Sequence, residues 1–201
     1  MNLRHIFGRR PAIATEAGLA EFIDENAAFL VQKGLYEYSR ARAGHYAKIL
    51  FAEECFRAAI ENSRWRAFPL GLAMLTEMID GVLRPHANDR RTFLDRLSAV
   101  TLSVFDRYPA PAALGAETWS EARGELLRQI EFVGMHPAKA AKDIPIRFCE
   151  SYFALMPIHE KLRASEFHTI SNYLRVTMCN IHHEFTTRMD APALARELQP
   201  A

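Results

Sequence analysis

The spacing of apolar residues along this chain predicts helices over most of its length. From Thr15 onward, apolar side chains recur at steps of three and four residues as far as Ile60. A break near Gly44 is compatible with this pattern but is not required by it. Pro69 then interrupts the period, and proline is best tolerated in the first turn of a helix. We therefore predict a boundary at 62–68 and a new helix from Pro69 to about residue 84.

The helix predicted from Pro69 differs from its neighbours because apolar residues cover most of its sides. Glu77 and Asp80 are its only charged residues before Arg84. A helix that is apolar nearly all round is typical of the centre of a core. We therefore expect other helices to surround it.

The second half of the chain repeats the helical pattern with clearer ends. Asn88 or Asp89 is a suitable N-cap for the next helix, prolines and a glycine predict a loop at 108–116, and Thr118 with Glu121 fits a capping box. The helices predicted after the 69–84 helix are 89–107, 118–134, 143–157, a long final helix at 162–188 and a short one at 192–198.

Together these elements predict an all-α protein: a single-domain bundle of about seven helices with short loops. We assign residues 15–201 to one helical domain. Residues 1–14 carry three arginines and no acid, and we interpret them as a basic N-terminal arm or frayed tail.

Composition and charge narrow the classes of function. The chain has 201 residues and a formal net charge of +1, which argues against a dedicated nucleic-acid-binding protein. It has three cysteines without a short regular spacing, no secretory leader pattern and no uninterrupted apolar run long enough for a transmembrane segment. We expect a cytoplasmic protein.

The final helix has the most distinctive pattern. Its apolar seam runs at helical spacing, and a second, polar stripe runs beside it. Arg175 is the only formally charged residue in positions 167–183. The seam consists of Phe167, Ile170, Leu174, Met178, Ile181 and Phe185. The polar stripe consists of His168, Asn172, Arg175, Cys179 and His182.

Three interpretations of this polar stripe remain open. Neighbouring helices could satisfy its polar groups within a central helix. The stripe could instead line a ligand pocket in which Arg175 clamps an anion, with His168 and His182 beside it. In the third interpretation, Cys179 forms a metal site or a thiolate–imidazole pair with His182 or His183.

The common catalytic and cofactor motifs are missing from the sequence. There is no Glu-x-x-His for a di-iron bundle, no His-Glu-x-x-His, no Gly-x-Ser-x-Gly and no glycine-rich phosphate loop. We therefore predict no metal site and leave the cofactor and the catalytic residues unknown.

One further segment mixes aromatic and basic residues. Between Tyr36 and Arg66 the chain carries Tyr46 and Trp65 together with Arg40 and Lys48. Such a mixture could stack bases or grip phosphate. Because glutamates share the segment and its aromatics fall partly at core spacing, we favour a helix packed on one side and solvated on the other.

Two hypotheses about function follow. The first is a non-catalytic helical module that binds a partner protein or self-associates, for example as a homodimer. The alternative is a small-molecule-binding protein or an enzyme whose site lies on the final helix, with Arg175 as anion clamp and the flanking histidines and cysteine around it.

Overall fold

A computed structural model describes residues 11–158 and 160–199, and this region of the chain is predominantly helical. The α-helices are α1 (Glu16–Ala43), α2 (Ala47–Leu50), α3 (Glu54–Leu83), α4 (Arg90–Phe105), α5 (Gly115–Gly134), α6 (Cys149–Leu155), α7 (Glu160–Arg188) and α8 (Ala191–Glu197). Short 3₁₀ turns at Gly44–Tyr46, Arg84–His86 and Ile144–Arg147 connect some of them. The prediction of an all-α bundle is confirmed.

Several predicted helix ends are confirmed by the geometry of their caps. The Thr15 hydroxyl accepts a hydrogen bond from the Gly18 amide at 3.1 Å, and the Asp89 carboxylate accepts one from the Arg91 amide at 3.0 Å. Each side chain satisfies an amide that the first turn of its helix leaves without a partner. The final helix ends at Arg188, as predicted.

The predicted boundary at 62–68 is wrong. Helix α3 runs without a break through Pro69, which is buried inside it. Proline removes one backbone hydrogen bond and costs about 3 kcal/mol in a helix interior. The neighbouring Phe68 and Leu72 lie in the core, and their burial favours a continuous helix more strongly than the proline opposes it.

Two predictions in the second half of the chain also need correction. Helix α5 begins at Gly115 without a side-chain cap, so the proposed capping box at Thr118 lies inside the helix. The helix predicted at 143–157 is divided into a 3₁₀ turn and α6. Pro145 stands in that turn, where its missing amide costs no regular helical hydrogen bond.

Helix α3 lies at the centre of the bundle, and α1 packs mainly against it. The two helices lie close together at Gly71, where a Cβ atom would stand 3.0 Å from the Ala27 carbonyl oxygen. In the stretch 71–80 every residue is buried. The predicted central position of this segment is therefore confirmed.

Helix α7 covers one side of this core with the predicted seam. Ile170, Leu174, Met178, Ile181 and Phe185 are all buried. The Phe185 ring lies 5.1 Å from that of Phe22 on α1. Phe167, the first residue of the predicted seam, is only partly buried.

The chain just before α1 is attached to the end of α7. The Ile13 amide donates to the Arg188 carbonyl at 2.9 Å, and the Asp190 amide donates to the Ile13 carbonyl at 2.9 Å. Ile13 is itself buried. The first ten residues of the predicted basic arm lie outside the described residues.

An aromatic cluster joins α3 to the segment between α4 and α5. The Trp65 ring contacts both Tyr108 and Trp119, with ring centroids 5.4 and 5.8 Å apart. The Tyr108 hydroxyl donates a 2.7 Å hydrogen bond to Asp24 of α1. Burial, together with this hydrogen bond, raises the pKa of Tyr108 to about 12.

Two acidic residues of α3, Glu77 and Asp80, are buried and held in ion pairs. Glu77 is 6% exposed, and its carboxylate accepts hydrogen bonds from Lys139 Nζ at 2.8 Å and from Arg147 Nε and Nη2 at 3.0 and 2.9 Å. Arg147 also contacts the side chain of Gln129 on α5. The Glu77 carboxylate therefore holds two parts of the α5–α6 connection, at Lys139 and at Arg147, against the central helix.

Asp80 has a similar role and lies one turn further along α3. It is 1% exposed, and Arg84 Nη2 donates to its Oδ2 at 2.6 Å. Arg90 Nη1 lies 2.5 Å from Oδ1, in an ion pair outside hydrogen-bonding geometry. Because Arg84 also donates to the His136 carbonyl at 2.8 Å, the pair links α3 to the end of α5.

Replacing Glu77 with glutamine should lower the free energy of unfolding by about 2–3 kcal/mol, since two cations lose a buried carboxylate. The loss falls below the range for fully buried ion pairs, because both cations are partly exposed. Urea unfolding of E77Q measures it, with D95N as the control. Asp95 pairs with Arg91 in solvent, so its loss should cost less than about 1 kcal/mol. Equal losses in the two variants would contradict the assignment of Glu77.

Candidate functional site

The polar stripe predicted on the final helix faces mainly outward. His168, Asn172 and Cys179 are exposed, and His182 is partly buried. These residues line none of the five clefts described for the molecule. The central helix is α3 rather than α7, so the stripe has few neighbouring groups that could bury it.

Arg175 is the one member of the stripe with a clear structural partner. Its Nε donates to the Lys142 carbonyl at 3.0 Å, and its Nη2 lies 3.8 Å from Asp143. These contacts help to hold the connection between α5 and α6 against α7. Its assignment as an anion clamp, with the other four residues of the stripe, stays a prediction.

The three cysteines occupy different environments. Cys55 and Cys179 are exposed, whereas Cys149 is buried and its thiol donates to the Ser171 hydroxyl at 3.4 Å. Within residues 11–158 and 160–199, no three histidine, cysteine or acidic side chains are grouped closely enough to hold a metal ion.

The strongest candidate for a binding site lies where the chain leaves α1. Gly44 has a φ of 52°, a left-handed conformation that glycine adopts without strain. A 3₁₀ turn and the four-residue helix α2 follow, and neither contains a buried residue. We call residues 44–53 the α1–α3 connection.

This connection carries large apolar side chains that the rest of the described chain leaves uncovered. Tyr46 is 72% exposed and Ile49 is 61% exposed. Large side chains of this kind usually lie in a core, and a group of them at the surface marks a site of interaction.

A cleft of about 780 Å³ lies between α1 and this connection. It is lined by Tyr36, Glu37 and Arg40 of α1 and by Gly44, His45, Ala47, Lys48 and Phe51 of the connection. The Tyr36 and Phe51 rings are stacked with their centroids 6.2 Å apart. Phe51 also packs edge-on against Phe56, at 5.1 Å, so its ring is held from two sides.

The two cations that line the cleft, Arg40 and Lys48, have no carboxylate partner in a salt bridge among the residues that the structure describes. By contrast, arginines elsewhere are commonly paired, as in Arg107 with Asp24, Arg123 with Asp106 and Arg96 with Glu16. The pairing of Arg123 is strong enough to lower the pKa of Asp106 through direct hydrogen bonds. The positive charge of the cleft is therefore available to a ligand.

For the segment from Tyr36 to Arg66 the sequence favoured a helix packed on one side and left a break near Gly44 open. The structure has that break: α1 ends at Ala43, and the chain folds back beside it. The signal that could have located the cleft was the glycine at the centre of a run of aromatic and basic residues.

Comparison with protein-family models, with curated proteins and with solved structures gives no match for this chain. None of the described helices has both the length and the hydropathy needed to cross a membrane.

The placement of the cysteines predicts a native thiol titration in two phases. Cys55 and Cys179 should react rapidly with an aromatic disulfide reagent, and the third thiol should react only as the protein unfolds, because Cys149 is buried. The absorbance of the released thiolate measures both phases. C149S should remove the slow phase alone. A rapid phase of one or three equivalents would contradict this placement.

Proposed function

We propose that this protein is a non-catalytic helical module that binds another protein through the surface formed by α1 and the α1–α3 connection. We call this surface the α1–α2 surface, and it consists of Tyr36, Arg40, His45, Tyr46, Lys48, Ile49 and Phe51. The observation that carries the proposal is that the connection has no buried residue although it contains several large apolar side chains.

The chemistry of this surface suits a protein interface. Interfaces are enriched in aromatic residues and arginine, and a few such residues near the centre supply most of the binding energy. Here Tyr36 and Phe51 line the same cleft as Arg40, and the exposed Tyr46 belongs to the connection that forms the other wall of this cleft. An apolar partner that covered Tyr46 and Ile49 would remove their side chains from water.

Two of the buried acids, Glu77 and Asp80, support a non-catalytic role. A general acid or base must reach a substrate and exchange its proton. Glu77 and Asp80 are each neutralised by two cations inside the bundle. These ion pairs give both carboxylates a structural role and leave neither of them free to exchange a proton with a substrate.

A photoreactive amino acid placed at position 46 or 49 tests the proposal in cells that express the protein. We expect both positions to form the same discrete adduct with a second polypeptide, because both would lie in the interface. Denaturing electrophoresis with mass spectrometry identifies the adduct, and light scattering on the purified protein shows whether the partner is a second copy of the chain.

Position 135 provides the matched control for this experiment. Met135 is 75% exposed but lies at the end of α5, away from the α1–α2 surface. The same photoreactive residue there should not capture the species found at positions 46 and 49. The proposal fails if positions 46 and 49 yield no adduct, or only the adducts that position 135 yields.

A further inference from the structure

We infer that the segment bound at this surface is an acidic amphipathic one, which inserts an apolar side chain into the cleft and pairs its carboxylates with Arg40 and Lys48. This inference rests on the proposed function, because it names the chemistry of the partner at the same surface. It follows from the shape of the cleft, its charges and the position of the exposed apolar residues around it.

The shape of the cleft requires a projecting side chain. Its volume of about 780 Å³ lies in the range of sites that enclose a compact ligand or several side chains. The wall is aromatic, since Phe51 stacks against Tyr36 and is held from behind by Phe56. An aliphatic or aromatic side chain that enters here meets ring faces and edges.

The charges of the cleft select carboxylates on the partner. Arg40 and Lys48 lie on opposite sides of the Gly44 turn, and each lacks a carboxylate partner among the described residues. Glu37 is the one acid that lines the cleft. Carboxylates placed beside the inserted side chain can reach both cations, and Arg40 can accept one in two parallel hydrogen bonds.

The apolar residues outside the cleft favour a polypeptide over a small anion. Tyr46 and Ile49 do not line the cleft. Ala47, Lys48 and Phe51 line it, and the helical turn places residues 46 and 49 on the other side of α2. A small molecule inside the cleft would leave both exposed. A polypeptide that seats one apolar side chain in the cleft can extend past α2, which is only four residues long, and cover them as well.

A flat anionic membrane fits this surface less well. A planar bilayer cannot fill a concave site such as this cleft.

A nuclear magnetic resonance titration of the full chain tests this inference with a designed probe. The probe is a synthetic peptide of about four helical turns, with leucine and phenylalanine on one face and glutamate on the other. Two control peptides replace every glutamate with lysine, or every leucine and phenylalanine with alanine. We expect amide shifts centred on residues 36–51 with the acidic amphipathic peptide and much weaker shifts with either control.

Charge-neutral variants then test the role of the two cations. R40Q/K48Q should bind the acidic peptide about tenfold more weakly, because two solvent-accessible ion pairs are lost. K142Q/R196Q removes the same charge from exposed side chains elsewhere and should bind like the unchanged protein. Added salt should weaken binding by the unchanged protein more than binding by R40Q/K48Q.

Three results of the peptide titration would overturn the inference: equal shifts with the basic peptide, shifts centred outside residues 36–51, or no shifts with the acidic peptide. Binding of the protein to vesicles of phosphatidylcholine and phosphatidylserine would also overturn it, if that binding depends on Arg40 and Lys48. If these arise while positions 46 and 49 still cross-link to a protein in cells, the proposed function stands and only the partner chemistry is wrong. Failure of both experiments removes the proposed function as well.

Discussion

The bundle depends on two carboxylates buried in its central helix. Glu77 and Asp80 lie three residues apart on α3, and each is paired with two cations. These cations come from α4 and from chain segments beyond the ends of α3 and α5, and the stretch from 135 to 143 buries no side chain of its own. A segment with so little apolar burial needs other interactions to hold it in one conformation. The ion pairs supply it, and they also satisfy charges that would otherwise be costly inside the bundle.

The concentration of buried contacts around α3 explains why the candidate binding surface lies elsewhere. Helices α1, α4 and α5 pack on α3, and α7 packs against α1, α6 and the 3₁₀ turn at Ile144–Arg147. The connection from Gly44 to Glu53 contributes nothing to this core, although its sequence is apolar enough to do so. Stability and the proposed binding therefore reside in different regions of the chain, so the surface residues Arg40, Tyr46 and Lys48 can be changed without removing a core contact.

Local periodicity predicted much of the fold, including the buried seam of α7, because the side chains of one helix face recur at a fixed spacing. It predicted the wrong boundary at Pro69, where tertiary burial outweighs a local preference. It also could not orient the polar stripe of His168 and Cys179, since an almost uncharged helix does not indicate which polar face meets solvent. The cleft needs the reversal at Gly44, which brings Phe51 back beside Tyr36. The sequence shows those residue types but does not show that the two rings lie side by side.

The central claim is that the α1–α2 surface is covered by a partner in the cell. Hydroxyl-radical footprinting compares the oxidation of the same residues in intact cells and in the purified protein. We expect the modification of Tyr46 and Ile49 to fall several-fold in cells, whereas the equally exposed Met135 changes little, because only the former two would be buried at an interface. Equal modification of Tyr46 in cells and in the purified protein, with Met135 as internal reference, would contradict the account.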